Sequence, residues 1–228
     1  MIDEVLSYRE MCNEENVQSL QRGMNFHLNP KYSVILMSRR NNSPYNDRIH
    51  EDGITIEYEG HDKSKRECSD PKSEDQPRFT GNNTITENGK FINSIENYKS
   101  GISEPEIVKV YEKILPGVWS LKGLFDLVDY KIEKDEVRNV FRFILKLSNN
   151  QGVSSNKQIN LEHTRLIPSE VKKEVWKRDG GKCVLCGSNK NLHFDHELPF
   201  SKGGTSLTKK NIRLLCMKCN LKKSGKIE

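Results

Sequence analysis

Two Cys-x-x-Cys motifs in the last fifth of the sequence constrain the fold more than any other feature. "CVLC" and "CMKC" contain Cys183, Cys186, Cys216 and Cys219. Two residues between thiols let one turn present both sulfurs to a single ion, and four thiolates in tetrahedral geometry suit zinc. The motifs therefore predict a structural zinc site formed by all four cysteines, rather than four buried cysteines without a metal. The 29 residues between the motifs exceed the usual zinc-ribbon spacing and predict further folded structure there.

The positive charge of the chain is concentrated in its second part. The 228 residues carry a formal net charge of +5, yet residues 151–228 hold 16 Lys and Arg against 7 Asp and Glu, whereas residues 1–150 hold 21 against 25. Such a basic region is typical of proteins that bind polyanions, because each phosphate contact releases condensed counterions. A solvated lysine-rich surface is the alternative, so charge alone does not identify a DNA-binding protein.

The composition indicates a soluble protein with a modest core. Hydrophobic residues make up 34% of the chain, mean hydropathy is −0.76, and no run approaches the roughly eighteen apolar residues of a membrane span. The acidic start, MIDEVLSYREMCNEE, is unlike a signal or transit peptide. We therefore expect a cytosolic protein without a membrane partner, whose thiols stay reduced and can bind metal.

Hydrophobic periodicity predicts a first domain made mainly of strands. Short apolar or alternating runs predict strands at 32–37, 54–59, 107–111, 124–132 and 137–147. Helical spacing predicts helices over 87–99 and 169–178. The polar segment 61–86 predicts a long mobile loop, and the Ser-, Asn- and Gln-rich segment 148–160 predicts a flexible linker. Many strands with few helices predict an α+β fold with a twisted sheet or open barrel.

The stretch between the two cysteine motifs carries the candidate catalytic residues. Asp195 and His196 follow the apolar run 192–194, which places them at the end of a strand. Asn211 opens the run "NIRLLC", and Asn220 directly follows the last cysteine. Two paired strands and a following helix would bring these four residues together. The order D-H, N, C-x-x-C-N, with flanking "WKRDGGKCVLCG" and "LPFSKGGTSL", resembles the HNH nuclease family and its ββα-metal fold over about residues 168–224.

The resemblance to HNH nucleases implies a role for each of these side chains. His196 would be the general base, since imidazole has the side-chain pKa suited to deprotonating water near neutral pH. Asp195 and Asn220 offer hard oxygen donors for a catalytic Mg²⁺ or Mn²⁺, and Asn211 would position the histidine. The final motif residue is Asn220 in place of histidine, which leaves the number of protein ligands to this ion open. We expect His193 to make a packing or phosphate contact rather than to bind metal.

Six lysines of the nuclease region are expected to contact backbone phosphates, which would position a duplex without reading its sequence. They are Lys202, Lys209, Lys210, Lys218, Lys222 and Lys223. Taken singly, each could equally be an ordinary surface lysine.

Three stretches of the first 150 residues resemble the SRA (SET and RING associated) domain of the PUA-like superfamily. They are "SVILMSRRNNSPYNDRIHEDGITIEYEGHD", "TENGKFINSIENY" and "KGLFDLVDYKIEKDEVRNVFRFILKL", and the resemblance spans about residues 30–148. It implies a twisted, barrel-like β domain. SRA domains flip a modified cytosine out of the duplex, stack it between aromatic rings and read its exposed edge with a carboxylate.

The resemblance to SRA domains also implies a base-binding pocket. Tyr45 and Tyr58 would stack on the flipped base, and Asp47 would accept a hydrogen bond from its exocyclic amine. The loop "YNDRIHEDG" is one residue longer than the family pattern, so Arg48 could take the place of Asp47. Tyr58 lies in an alternating strand and could instead be packed in the core.

Together the two resemblances imply a modification-dependent restriction endonuclease. Its predicted domains are an SRA-like reader at 1–148, a linker at 149–166 that lets the nuclease cut at some distance, and a nuclease domain at 167–228. Its expected substrate is double-stranded DNA with 5-methylcytosine or 5-hydroxymethylcytosine, cut in defence against foreign DNA such as phage. One HNH site cuts one strand, so we expect a homodimer. The alternatives are a homing or repair nuclease acting on unmodified DNA and a non-catalytic reader.

Overall fold

The computed structural model describes residues 3–40, 43–149, 166–198 and 204–223. Within these ranges the strands are β1 (Val5–Leu6), β2 (Met24–Asn29), β3 (Tyr32–Met37), β4 (Arg48–Ile49), β5 (Thr55–Glu59), β6 (Glu106–Leu115), β7 (Val118–Lys134), β8 (Asn139–Leu147), β9 (Leu192–His196) and β10 (Ile212–Cys216). The helices are α1 (Tyr8–Glu14), α2 (Glu87–Lys99), α3 (Ser169–Arg178) and α4 (Met217–Lys223). The predicted α+β class is confirmed.

Eight strands form one sheet, and β9 and β10 form a separate hairpin. The spatial order of the large sheet is β2-β3-β6-β7-β8-β5-β4, with β1 beside the start of β7. Its neighbouring strands are antiparallel except β3 and β6, which are parallel. The 17-residue strand β7 pairs first with β6 and then with β8, and its register shifts on both sides. Such shifts mark bulges, which bend and twist a sheet around its core.

Helix α2 covers the core of the large sheet. Its apolar buried residues are Phe91, Ile92 and Ile95, which pack in the core of the sheet. The helix starts where the sequence predicts, because the Thr86 hydroxyl accepts the Gly89 N–H at 3.1 Å and caps the first turn. Strand β3 also matches its predicted bounds, and the other four predicted strands of this sheet are present with longer or slightly shorter ends.

The polar segment 61–86 has no helix or strand beyond a single bridge between Phe79 and Ile85. It is nevertheless fastened to the sheet. Gln76 Oε1 accepts the Phe141 N–H at 2.8 Å, and the Asp75 carboxylate accepts the Asn139 N–H at 2.7 Å. The guanidinium of Arg138 donates to the carbonyl of Pro71. These contacts hold the middle of the segment against β8, in contrast to the predicted mobile loop.

The nuclease region has the strand, strand, helix order that the sequence predicts. β9 and β10 are antiparallel, with Leu192 opposite Cys216 and His196 opposite Ile212. Helix α4 begins at Met217, directly after β10, and helix α3 packs on the hairpin. The core between these elements is formed by Ile167, Val171, Val175, Leu192, Phe194, Ile212, Leu214 and Leu215.

Contacts cross the predicted boundary between reader and nuclease. Leu166 is buried in the core of the large sheet, and its N–H donates to the Gly53 carbonyl at 2.7 Å. Val5, from the other end of the chain, packs against the nuclease core. The predicted linker 149–166 lies almost wholly outside the described residues, and the three domain bounds remain predictions. Among the described residues, none of the helices combines the length and apolarity needed to cross a membrane.

Candidate active site and base-binding cavity

The four cysteines of the two motifs converge at one end of the β9–β10 hairpin. Their sulfur atoms all lie within 4.8 Å of one another, and the Sγ atoms of Cys186 and Cys216 are 3.6 Å apart. A tetrahedral site with Zn–S bonds of about 2.3 Å has sulfurs about 3.8 Å apart, which agrees with this spacing. Gly187 turns the first motif, since its φ of +74° lies in the left-handed region. The cluster could therefore hold a zinc ion.

The hairpin brings Asp195 and His196 to the opposite end of β9 from Cys216. Asp195 lies opposite Arg213 on β10, whose Nε is 3.9 Å from Asp195 Oδ2. The ammonium of Lys223 on α4 is closer, at 2.5 Å from the same oxygen, and also donates to the His196 carbonyl. The Asp195 carboxylate thus faces two cations of its own chain.

His196 is partly buried, and its Nε2 lies 2.8 Å from the hydroxyl oxygen of Ser206. Burial lowers the pKa of the imidazole, although the nearby carboxylates of Asp3 and Asp195 act in the opposite direction. The ring is therefore neutral at physiological pH. In the tautomer whose Nε2–H donates to the Ser206 hydroxyl, Nδ1 carries a lone pair that can accept a proton.

Asn211 holds the segment that follows His196 rather than the imidazole itself. Its Oδ1 accepts the Leu198 N–H at 2.8 Å, and its Nδ2 donates to the carbonyls of Leu198 and Thr205 at 3.0 and 2.9 Å. The backbone passes so close here that a Cβ on Gly204 would overlap the Leu198 carbonyl, which explains a glycine at this position. Asn211 is thus placed to position His196 indirectly, through the neighbours of His196 and Ser206.

Asn220 lies on α4, three residues before Lys223, so the two side chains share one helix face. That face is the one from which Lys223 reaches Asp195. The carboxylate of Asp195 and the amide of Asn220 are donors that Mg²⁺ or Mn²⁺ accepts, and a cation bound there has to displace the Lys223 ammonium. Apart from the cysteines, the described residues contain no cluster of three or more His, Cys, Asp or Glu side chains that could hold an ion.

Lys223 corrects one sequence prediction. The side chain is only 5% exposed and is paired with Asp195, so it is not available to a DNA phosphate in this structure. Its spacing of three residues from Asn220 is the one signal in the sequence that places it at the active site. Lys202 lies outside the described residues, and Lys209 pairs with Glu174 at 3.2 Å on the surface.

His193 is 1% exposed, and neither ring nitrogen has a hydrogen-bond partner. It points into the protein next to Glu4, with which it forms an isolated strand bridge. Burial lowers the pKa of the ring, so it is neutral. This environment is that of a packed side chain and does not allow contact with a phosphate.

The three predicted base-binding residues line one cavity of about 390 Å³ in the first domain. Tyr45 and Asp47 come from the loop after β3, and Tyr58 comes from β5. Tyr58 is 1% exposed and belongs to the core, while its hydroxyl reaches toward Gly23, where a Cβ would come within 2.7 Å of it. The ring of Tyr45 stacks on His61 with centroids 5.9 Å apart. Neither Gly23 nor His61 is predicted from the sequence.

Asp47, and not Arg48, faces this cavity. The Asp47 carboxylate accepts the N–H groups of Ser38 and Glu59 at 2.9 and 3.1 Å, which fixes its orientation. Burial raises its pKa to about 7, despite these two hydrogen bonds. Arg48 points away and pairs with Glu57 at 3.0 Å and Glu133 at 3.2 Å.

A second cavity of about 550 Å³ lies beside the first and shares Tyr45 and Asp47 with it. Its lining is rich in cations, contributed by Arg39, Arg40, Arg48, Lys72, Arg138 and Arg142. Three acids, Asp47, Glu59 and Asp135, also line it. Arg138 and Arg142 are buried in ion pairs with Asp62 and Glu59, whereas Arg39 and Arg40 are only partly buried. Accessible cations of this kind beside a base-sized cavity suit the phosphates that flank a nucleotide.

Comparison with known proteins identifies the nuclease region. Residues 183–226 match the family model of HNH endonucleases, so the predicted HNH endonuclease domain is confirmed. Comparison of the sequence with curated proteins finds no significant match.

Comparison with solved structures finds similarity to SRA domains and to a restriction enzyme. The SUVH5 SRA complex with methylated CHH DNA is 19% identical, with 66% of this chain and 90% of that chain covered and a TM-score of 0.47. The SUVH5 SRA domain bound to fully hydroxymethylated CG DNA is 19% identical, with 68% and 89% covered and a TM-score of 0.44. The type IV phosphorothioation-dependent restriction endonuclease ScoMcrA is 14% identical, with 99% and 55% covered and a TM-score of 0.42.

Proposed function

We propose that this protein is a modification-dependent DNA endonuclease that recognises modified cytosine by base flipping and cuts with its HNH site. One observation carries the proposal: the HNH motif residues lie at the end of β9, directly before β10 and on α4, while Tyr45, Asp47 and Tyr58 line a single cavity in the same chain. The cavity volume lies within the range of small-molecule sites, so it is large enough for a flipped base. Its substrate would be double-stranded DNA carrying 5-methylcytosine or 5-hydroxymethylcytosine.

In the proposed recognition step, the modified cytosine leaves the duplex and enters the cavity. Stacking on Tyr45, and on Tyr58 if its core-packed ring turns toward the cavity, would offset the stacking lost in the duplex. The Asp47 carboxylate would accept a hydrogen bond from the exocyclic amine. The backbone N–H groups of Ser38 and Glu59 hold that carboxylate in a fixed orientation. Arg39, Arg40 and Lys72, which are not fully buried, would bind phosphates next to the flipped nucleotide.

In the proposed cleavage step, His196 accepts a proton from the attacking water. With Nε2–H donating to Ser206, the lone pair of Nδ1 takes that proton. Asn211 keeps the following segment in place, and the zinc bound by the four cysteines would hold the hairpin and α4 together. Asp195 and Asn220 would hold Mg²⁺ or Mn²⁺, which neutralises charge at the phosphate when bound.

Cleavage of matched plasmids tests the proposal. Unmodified, methylated and hydroxymethylated plasmids are incubated with the protein and Mg²⁺ or Mn²⁺, and we expect cutting of one or both modified forms only. Equal cutting of all three would instead indicate a nuclease for unmodified DNA, of the homing or repair kind. Binding of modified DNA without cutting under any metal condition would indicate a reader.

The His196→Ala variant separates catalysis from recognition. We expect it to abolish cleavage and to leave binding of modified DNA unchanged, because His196 lies in the nuclease region and not in the base cavity. A gel-shift assay and a cleavage assay on the same duplex measure the two properties. Full cleavage by this variant would contradict the assigned general base.

One HNH site cuts one strand at a time, so we propose that two copies act together on one DNA to cut both strands. Light scattering with and without modified DNA measures the oligomeric state, and a strict monomer that makes double-strand breaks would contradict the dimer. The proposed setting is defence of a bacterial cytoplasm against foreign DNA. Lower efficiency of plating by a phage with modified cytosine, in cells that express the protein, tests this role.

A further inference from the structure

The amino-terminal segment 3–6 lies between the reader and the nuclease and is hydrogen-bonded to both. On the reader side, the Asp3 N–H donates to the Leu121 carbonyl at 2.7 Å, and the Leu121 N–H donates to the Glu4 carbonyl at 2.8 Å. On the nuclease side, the Phe194 N–H donates to the Asp3 carbonyl at 3.1 Å, and the backbone of Glu4 forms an isolated antiparallel strand bridge with that of His193. The segment therefore connects β7 of the large sheet to β9 of the hairpin.

A group of buried polar side chains lies under this segment and joins the same two parts of the chain. From the reader it includes Glu112, Ser120 and Lys122, from the nuclease Ser169 and Lys172, and from the amino-terminal segment Asp3. We call these six side chains the junction network. Its two acids and two lysines balance in charge.

The contacts of the junction network link all three segments. Lys172 donates to the Asp3 carboxylate and, at 2.7 Å, to the Ser120 hydroxyl. Lys122 pairs with Glu112 at 2.7 Å and donates to the Ile167 carbonyl at 3.0 Å. The Ser169 hydroxyl donates to Glu112, which brings the start of α3 onto β6.

The buried ion pairs of the junction network favour a single arrangement of the two domains. Each buried ion loses its hydration, and only an ion partner in the correct place offsets that loss. Sliding or rotating the nuclease on the reader would separate Lys172 from Asp3 and Ser120 while they stay out of water. A surface of apolar contacts would penalise such a shift far less, because it has no directional requirement.

We infer that the junction network and the amino-terminal segment fix the catalytic strand at one distance and orientation from the base cavity, so that cleavage falls at a set position relative to the modified cytosine. The tied strand is the catalytic one, since Asp195 and His196 directly follow Phe194. Asp3 and Lys172 are positioning residues in this arrangement. The inference rests on the proposed function and assigns the cut position to the domain junction rather than to a free linker.

Mapping of cut positions at nucleotide resolution tests the inference. The substrate is an end-labelled duplex with one 5-methylcytosine. We expect wild-type protein to cut one main phosphodiester in each strand. We test the variants Lys172→Met and Asp3→Asn, together with the double variant, which leaves neither charge unpaired. Each should still bind the duplex but should spread the cuts over several neighbouring phosphodiesters.

Lys173→Met is the matched control. Lys173 is adjacent to Lys172 but pairs with Glu170 of the same helix, and it is not part of the junction network, so its removal should leave the cut pattern sharp. An unchanged sharp pattern in folded Lys172→Met and Asp3→Asn would overturn the inference. Broad cutting by the wild-type protein would overturn it as well.

Hydrogen exchange of the wild-type protein keeps the inference testable if the variants do not fold. The amides of Asp3, Leu121 and Phe194 should exchange as slowly as those of the central strands β6 and β7. Exchange of the Asp3 and Phe194 amides at the rate of an exposed loop would overturn the fixed junction. Failure to cut any modified duplex, with these amides protected, would instead reject the proposed function and leave the fixed junction standing.

Discussion

Asp47 is a buried carboxyl group whose protonation changes in the physiological pH range. Burial raises its pKa to about 7, so lowering the pH from 8 to 6 converts most of the group to the neutral acid. If the carboxylate reads the exocyclic amine, affinity for a modified duplex should be roughly tenfold weaker at pH 6 than at pH 8. Fluorescence anisotropy at the two pH values measures this difference.

Two controls separate Asp47 from other titrating groups. Burial lowers the pKa of His61 to about 4, so this neighbour of Tyr45 stays neutral across the range. Binding of unmodified duplex should change little between the two pH values, because it does not use the cavity. An equal loss of affinity for modified and unmodified DNA would contradict the role of Asp47.

The ammonium of Lys223 binds the Asp195 carboxylate, which the proposed cation would need as a ligand. Replacing it in Lys223→Met removes a charge-assisted contact of about 1.5 kcal/mol from Asp195, so Mn²⁺ should bind on the order of tenfold more tightly. Mn²⁺ binding without DNA, followed by electron paramagnetic resonance, measures the effect independently of cleavage. Lys222→Met, which changes an exposed neighbour on the same helix, is the control. Equal Mn²⁺ affinity in both variants and the wild type would argue against this competition.

The His193→Leu variant distinguishes a packing role of His193 from a role as a metal ligand. Its two ring nitrogens are buried without partners, and replacing such a group by an apolar side chain removes an uncompensated desolvation cost. We expect His193→Leu to keep its zinc content and to gain up to about 1 kcal/mol in the free energy of unfolding. Thermal unfolding and zinc analysis measure both. Loss of zinc in this variant would show that His193 is a ligand.

Among the secondary-structure elements, the zinc-bound hairpin depends most on a ligand. The nuclease core is small, so metal binding should supply most of its folding free energy, on the order of 10 kcal/mol in comparable peptides. Cys216→Ser should therefore lose zinc and unfold the nuclease region while the large sheet remains folded. Zinc analysis and NMR spectra measure the outcome, with Cys68→Ser, outside the cluster, as the control. A folded, zinc-free variant would contradict the structural role.

Elements with strong periodicity are predictable from the sequence, and elements that depend on distant contacts are not. α2 and α3 match their predicted bounds because apolar spacing and end signals agree. β2 escapes prediction since "MNFHLN" has a bulge, with His27 at a φ of +47°, and gains its pairing from β3. α1 had a usable signal, because Ser7 and Glu10 form a capping box.

For the whole molecule, the sequence indicates the HNH motif residues but not the junction network that connects the nuclease to the reader. The HNH motif residues are close in sequence, so two strands and a helix suffice to bring them together. Lys172 and Asp3 are 169 positions apart, and neither stands out in the sequence. The junction network depends on the docking of two domains, which local pattern does not encode.

The place of segment 3–6 also has a consequence for folding during synthesis. These residues are synthesised before both of their partners, which follow on β7 and β9 more than a hundred and nearly two hundred residues later. Contacts between distant parts of a chain form late, because closing long loops costs entropy. We expect the nuclease to reach its docked position only after the reader sheet is complete. The order of synthesis would then keep an unguided nuclease from forming ahead of the domain that directs it.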